Sequence, residues 1–143
     1  MTRELPRELF PAFLLVIAAF QFFAGCGLFS GSGANFNDSV PAGTILCSSQ
    51  LLGSNGTGGV SGMVEIYKNS SSYTLRLDGI STPSKAGAQI SLRCDGNTVL
   101  TQSLRSATGS QNYSISSATG SCTLSLIMSG TTQYAEAVLN NCH

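Results

Sequence analysis

Few side chains in this chain of 143 residues are equipped for acid–base or covalent chemistry. The single histidine is His143, the last residue. A catalytic base has to be held against its nucleophile, and a terminal residue is poorly held, so a Ser/His/Asp or Cys/His site is not expected and the chain reads as a non-enzyme. Past residue 25 the carboxylates are Asp38, Glu65, Asp78, Asp95 and Glu136, and the bases are Lys68, Arg76, Lys85, Arg93 and Arg105. Most are expected on polar strand faces beside an opposite charge. Glu136 shares its parity with Tyr134 and Val138, which places it in partial burial with a hydrogen bond to Tyr134 or Arg105 and a structural role. The run Gly53-Ser54-Asn55-Gly56-Thr57-Gly58-Gly59 precedes no helix whose dipole could hold a phosphate, so it is a loop. The charges sum to zero. Without clustered cations there is no footprint for nucleic acid, and none is expected as a partner.

The thiols are the remaining reactive groups, and there are five. Cys47, Cys94, Cys122 and Cys142 are far more widely spaced than the close pairs, two to four residues apart, that zinc sites usually use. No metal and no cofactor is expected. The fifth, Cys26, stands elsewhere. Arg3 and Arg7 precede an apolar run from Phe10 to Ala24, about the length of a signal-peptide core and shorter than the ~20 residues that span a bilayer. The run ends in Phe23-Ala24-Gly25-Cys26, small residues directly before a cysteine. This resembles the bacterial lipobox, although Phe23 stands where Leu is usual and Glu4 and Glu8 offset the two arginines. The resemblance implies cleavage after residue 25, a diacylglycerol on the Cys26 thiol and an acylated amino group. Residues 1–25 are then a signal peptide and the membrane is a partner through the lipid anchor. Gly27 rather than Asp follows the cysteine, which implies the outer membrane where a cell has two. Two or more acyl chains, at ~0.8 kcal/mol per buried methylene, make such attachment lasting. The sequons Asn55-Gly56-Thr57 and Asn112-Tyr113-Ser114 are inert after bacterial export.

With Cys26 assigned to lipid, an even set of four cysteines remains in a compartment that permits disulfides, with three pairings open. Residues 26–44, rich in Gly, Ser and Asn, read as the lipidated cysteine and a flexible tether, with packing of its first half on the domain as the alternative. Residues 45–143 read as a single β domain. Tyr73, Leu75 and Leu77 alternate with Thr74, Arg76 and Asp78, and Ile90, Leu92 and Cys94 with Ser91, Arg93 and Asp95, the period of half-buried strands. Further strands are expected near 44–52, 60–68, 98–105, 111–117, 121–129 and 132–139. Turn signals fall at Asn55-Gly56, Asp78-Gly79, Pro83-Ser84, Asp95-Gly96, Gly109-Ser110 and Gly120-Ser121, and Asp95-Gly96 predicts a tight hairpin. Seven to eight short strands imply an all-β, antiparallel β-sandwich or barrel. Cys94 shares a face with Ile90 and Leu92, and Cys122 with Leu124 and Leu126. A 94–122 bridge is the preferred choice, leaving 47–142 to tie the first strand to the C-terminal end.

Two resemblances bear on function. Val60-Ser61-Gly62-Met63-Val64-Glu65-Ile66-Tyr67, Tyr73-Thr74-Leu75-Arg76-Leu77-Asp78-Gly79-Ile80-Ser81-Thr82, Gly109-Ser110-Gln111-Asn112-Tyr113-Ser114-Ile115 and Tyr134-Ala135-Glu136-Ala137-Val138-Leu139 resemble, in order, elements of the DM-thirteen electron-transfer domain. That family's redox role rests on a cysteine in the penultimate strand, a position that falls here at Ile127 or Met128. Fold and location are implied, electron transfer is not, and Met128 is expected in the core rather than on a haem. Ser106-Ala107-Thr108-Gly109-Ser110 with Tyr113 looks like the cleft-plugging loop of the membrane-bound lysozyme inhibitors, which implies inhibition as the alternative. Those proteins also use a later lysine, and no Lys or Arg follows Arg105. The expectation is a non-catalytic extracytoplasmic binding or surface domain in the cell envelope, with an extracytoplasmic protein as the candidate partner. Its contact site is expected at Ser106, Thr108, Ser110 and Tyr113, read as an exposed polar loop on a rigid scaffold.

Overall fold

Successive side chains of a strand point to opposite faces, so a strand with one apolar face must lay that face on another layer. The computed structural model describes residues 36–53, 59–84, 86–128 and 132–143, and these form two five-stranded sheets packed face to face. Cys26, the signal peptide expected over residues 1–25 and the turn expected at Asn55-Gly56 lie outside the described residues. The strands are β1 (Phe36–Asn37), β2 (Thr44–Gln50), β3 (Leu52–Gly53), β4 (Ser61–Asn69), β5 (Ser72–Ser81), β6 (Gln89–Cys94), β7 (Asn97–Ser103), β8 (Thr108–Ile115), β9 (Gly120–Met128) and β10 (Thr132–Cys142). One sheet, A, runs β1-β8-β5-β4-β2 and the other, B, runs β3-β10-β9-β6-β7. Val64, Ile66, Leu75, Leu77, Tyr113 and Ile115 from sheet A meet Ile90, Leu92, Leu124, Leu126, Ala137 and Leu139 from sheet B in one core.

Of the two expected architectures the sandwich is the one adopted, since the sheets are open and no barrel closes. All pairings are antiparallel except β1 with β8. Among the described residues there are ten strands rather than seven or eight. The extra two, β1 and β3, are two residues each, too short for any periodic signal. The Asp95-Gly96 hairpin forms between β6 and β7 with both residues at positive φ, as that turn requires. Three other expected turns are strand instead, and of these Gly120-Ser121 opens β9. Asp78-Gly79 is a bulge inside β5, where the register with β8 shifts between Leu77 and Ile80. Gly109-Ser110 lies in β8, where Gly109 has φ +93° and a Cβ would run into the Phe36 carbonyl oxygen. The Asn69–Ser72 hairpin lacks glycine and turns through Ser70 at φ +53°.

Part of the segment expected as a flexible tether, 26–44, is held on the domain from Phe36 onward. Phe36 and Asn37 pair with β8, and the Asp38 N–H donates to the Ser110 carbonyl at 2.9 Å. From there the chain has to cross sheet A, because β1 and β2 are its opposite edges. Residues 38–43 make that crossing as a strap over the outer face. Low apolar content concealed this, because polar contacts hold the segment.

Cys94 and Cys122 are direct cross-strand partners on β6 and β9 of sheet B, with Cα atoms 4.0 Å apart. Cys47 on β2 and Cys142 on β10 join the two sheets, with Cα atoms 5.0 Å apart. Both pairs lie at disulfide distance and match the preferred pairing. The 47–142 link spans 95 residues of sequence and the 94–122 link 28. In the chain-entropy account, replacing Cys47 and Cys142 by alanine should lower unfolding free energy by roughly 4–5 kcal/mol, against roughly 3–4 kcal/mol for Cys94 and Cys122. Denaturant titration of the two double variants measures the order, and the reverse order would show that the longer loop is not the greater constraint.

Candidate functional site

Sheet A carries a charged row on its outer face. Glu65 on β4, Arg76 on β5 and Asn112 on β8 are successive cross-strand partners, with Asp78 two residues along from Arg76. On a bare sheet these side chains would be solvated. Arg76 is instead only 5% exposed, because the strap lies over it. A buried guanidinium is tolerated only when its charge is paired and its donors are satisfied. Here Nη2 and Nε donate to Asp78 Oδ1 at 2.6 and 3.1 Å, and Nε also lies 4.0 Å from Glu65 Oε2. Nη1 donates to the strap itself, to the carbonyls of Asp38 at 2.9 Å and Ser39 at 3.1 Å, and to Asn112 Oδ1 at 3.1 Å. Asn112 Nδ2 adds a second bond to the Ser39 carbonyl, 2.8 Å.

Arg105 and Asp38 complete the clamp. The ladder between β1 and β8 stops after two residues, leaving the next backbone groups of β8 unpaired by strand. The Asn112 N–H donates to Asp38 Oδ2 at 2.8 Å, and the Asn112 carbonyl accepts from Arg105 Nη1 at 3.0 Å. The same two side chains form an ion pair, Nη1 to Oδ2 2.9 Å, and the guanidinium sits 4.4 Å from the Phe36 ring centroid. The bond from the Asn112 N–H and then that from Arg105 hold Asp38 below the usual aspartate range. The Ser110 hydroxyl, then Arg76, do the same for Asp78. Burial, then the neighbouring Glu65, raises the Tyr67 phenol, whose hydroxyl donates to Glu65 Oε2 at 2.9 Å.

The expected binding loop is not an exposed loop. Ser106 is 2% exposed, Ser110 and Tyr113 are buried, and Thr108 opens β8. The anchor is Gln111, fully buried. Its Oε1 accepts from the backbone N–H groups of Arg105 and Ser106 at 3.0 and 3.2 Å and from the Tyr113 hydroxyl at 2.8 Å, while its Nε2 donates to the Ser106 carbonyl at 2.8 Å. A search for apolar anchors could not see this, because a polar side chain does the anchoring. Ser110 Oγ accepts from the Gly79 N–H at 3.1 Å and donates to Asp78 Oδ1 at 2.8 Å, which ties β8 to the β5 bulge.

The other singled-out residues are dispersed. Glu136 accepts from Gln133 on its own strand, and Arg105, its other expected partner, is engaged with Asp38 on the opposite sheet. Met128, at the end of β9, packs against the rim of the core as expected, and Ile127 is half-buried beside it. His143 is exposed at the end of the chain. The outer face of sheet B holds an open groove of about 380 Å³ lined by Arg93, Ser121, Thr123, Ser125, Gln133 and Glu136. Among the described residues no three His, Cys, Asp or Glu side chains converge to hold a metal. The bonds of the charged row are directed inward, at the strap and β8, so what this arrangement does is fasten the N-terminal segment to the sandwich. Compared with protein-family models, curated proteins and solved structures, the chain has no match.

Gln111→Leu would leave the Arg105 and Ser106 N–H groups and the Ser106 carbonyl buried without this partner. It should destabilise the domain by about 2–4 kcal/mol, while Tyr113→Phe costs only about 1 kcal/mol, both measured by denaturant unfolding. The pH dependence follows from the direction of each shift. Asp38 and Asp78, depressed in the fold, contribute stability that is complete above the unfolded aspartate pKa of about 4 and is lost as pH falls through their lower folded values. Tyr67 and Tyr113, raised in the fold, contribute stability that is complete below about pH 10 and is lost above it. Thermal melts should therefore be flat between roughly pH 5 and 9 and fall on both sides, and Asp38→Asn with Asp78→Asn should flatten the acid limb.

Proposed function

We propose that the chain is a lipid-anchored bacterial lipoprotein of the cell envelope, with a non-catalytic β-sandwich that serves as an extracytoplasmic surface or binding domain. The observation that carries this reading is cysteine pairing. Cys47 with Cys142 and Cys94 with Cys122 lie at disulfide distance, which leaves Cys26, in its lipobox-like setting after the apolar run, as the one cysteine for acylation. The clamp at Asp38 agrees with it, since a domain hung from its N-terminus needs that segment fastened.

The segments that resemble the DM-thirteen domain fall on β4, β5, β8 and β10, and the reading retains that likeness for fold and location alone. Lysozyme inhibition draws no support from Ser106 and Ser110, which are buried in the sheet and its turn. Partners in this reading are the membrane, through acyl chains on Cys26, and an extracytoplasmic protein; the outer membrane is the destination in a cell that has two. Cys26→Ser should abolish incorporation of labelled fatty acid and release the protein from the membrane fraction. Label on the variant, or membrane retention without it, would overturn the reading.

A further inference from the structure

β7 is the sheet edge that nothing closes among the described residues. β8 and β10 are capped by β1 and β3, and β2 lies against β10 of the other sheet, to which Cys47 joins it through Cys142. β7 has β6 on one side and no described strand on the other. Backbone groups on such an edge invite a further strand, which is why edges are commonly guarded by charge, proline or a bulge. Asn97-Thr98-Val99-Leu100-Thr101-Gln102-Ser103 has neither charge nor proline. Its one irregularity, where the register with β6 shifts between Thr98 and Leu100, lies toward the Asp95-Gly96 hairpin and leaves 100–103 regular.

The ladder fixes which groups this stretch turns outward. Opposed residues of an antiparallel pair alternate between those that exchange N–H···O bonds and those whose N–H and C=O point away. Next after Gln89 opposite Ser103 come Ala88 and Leu104, and the Leu104 N–H donates to the Ala88 carbonyl at 2.9 Å. By alternation Gln102 and Leu100 also bond to β6, so Thr101 and Ser103 direct their N–H and C=O away from the sheet. The side chains of Thr101, Gln102 and Ser103 are exposed, whereas Leu100 and Leu104 are buried.

We propose that this edge is a homodimer contact, in which β7 pairs antiparallel with β7 of a second copy about a twofold axis at Gln102 and sheet B runs on through both copies. The order of residues identifies the occupant. An isologous contact needs a patch complementary to itself, and for antiparallel strands that means a stretch that reads alike in both directions. Leu100-Thr101-Gln102-Ser103-Leu104 does so. About Gln102, leucine opposes leucine, Thr101 opposes Ser103, and the two Gln102 amides meet, each offering both donor and acceptor to its like. Thr101 and Ser103, the residues with outward backbone groups, become the pairs that exchange bonds across the axis. Charge does not oppose the approach, since the chain is neutral overall and this stretch carries none. A strand from an unrelated protein would require no such palindrome. One strand from each copy is a small contact, so the dimer exchanges with monomer. The pairing goes beyond the lipoprotein reading and holds with or without acylation of Cys26.

The test is sedimentation of the full chain in mild detergent up to about 1 mM, a range that covers weak, small contacts. The mass should rise from monomer to dimer with concentration. Thr101→Pro takes one outward N–H from each copy without touching the bonds to β6, and should abolish the dimer. Gln102→Lys and Gln102→Glu each set like charges opposite one another on the axis and should weaken the dimer several-fold, whereas an equal mixture of the two should recover it as a heterodimer. Recovery in the mixture is a result that misfolded variants could not give. A monomer throughout the range overturns the proposal and leaves the edge to a strand of another protein. A dimer that survives Thr101→Pro and both Gln102 variants unchanged overturns it too, because the contact then lies elsewhere.

Discussion

A guanidinium under cover on the outer face of sheet A is the constraint around which the N-terminal half is arranged. Arg76 cannot be dehydrated without partners, and strands β4, β5 and β8 supply only some of them: Glu65, Asp78 and the Asn112 amide. Its remaining donor capacity is met by the carbonyls of Asp38 and Ser39. The burial of Arg76 and the path of the strap are therefore one fact. If the strap lifted, Arg76 would return to water at little electrostatic cost, but the two carbonyls, the Asn112 amide and the β8 edge would all lose partners together. Such mutual dependence gives a fixed position to a segment whose largest apolar side chain, Val40, is left exposed.

The same economy governs the sheet edges, where unpaired backbone groups invite association. β8 is covered by two residues of β1, and then by side chains, Asp38 accepting and Arg105 donating where a longer strand would have continued the ladder. β10 is covered by the two residues of β3. β2 has no further strand on its outer side, but it lies against β10 of the other sheet and is joined to it through Cys47 and Cys142. Leu51 makes the passage between the sheets possible: it is buried at the corner, and its N–H donates to the Gly62 carbonyl at 2.9 Å.

Most of the sandwich was legible in the alternation of residues. Ile90, Leu92 and Cys94 face inward as their period demands, the Asp95-Gly96 turn forms where two residues tolerant of positive φ meet, and the inward parity of Cys94 and Cys122 was enough to favour their pairing. What alternation does not encode is anything that depends on a contact between distant polar groups. The parity of Arg76 correctly puts it on the outer face, yet nothing in its own neighbourhood says that residues 38–43 will cover that face. Asp78-Gly79 carries the composition of a turn, yet it forms a bulge bonded to the Ser110 hydroxyl of another strand and to Arg76. The 106–113 segment misled for the same reason, since Gln111 has the composition of a surface residue and the role of a core one.

These polar contacts also bear on how the domain meets its surroundings. Asp38 is paired with Arg105, and Arg76 with Asp78 and Glu65, so sheet A directs much of its charge inward. Long-range steering of a charged ligand needs clustered charge of one sign, and this neutral chain has little to offer. Recognition by such a surface has to work at contact, through hydroxyls, amides and the few exposed apolar groups such as Leu52 and Val138. Contact recognition of that kind is weak for a freely diffusing protein, and under the proposed lipid anchoring a raised local concentration would offset that weakness. A clamp built from Arg76, Arg105 and Asp38 joins the N-terminal segment firmly to the sandwich, and a face with little net charge leaves recognition to short-range contacts.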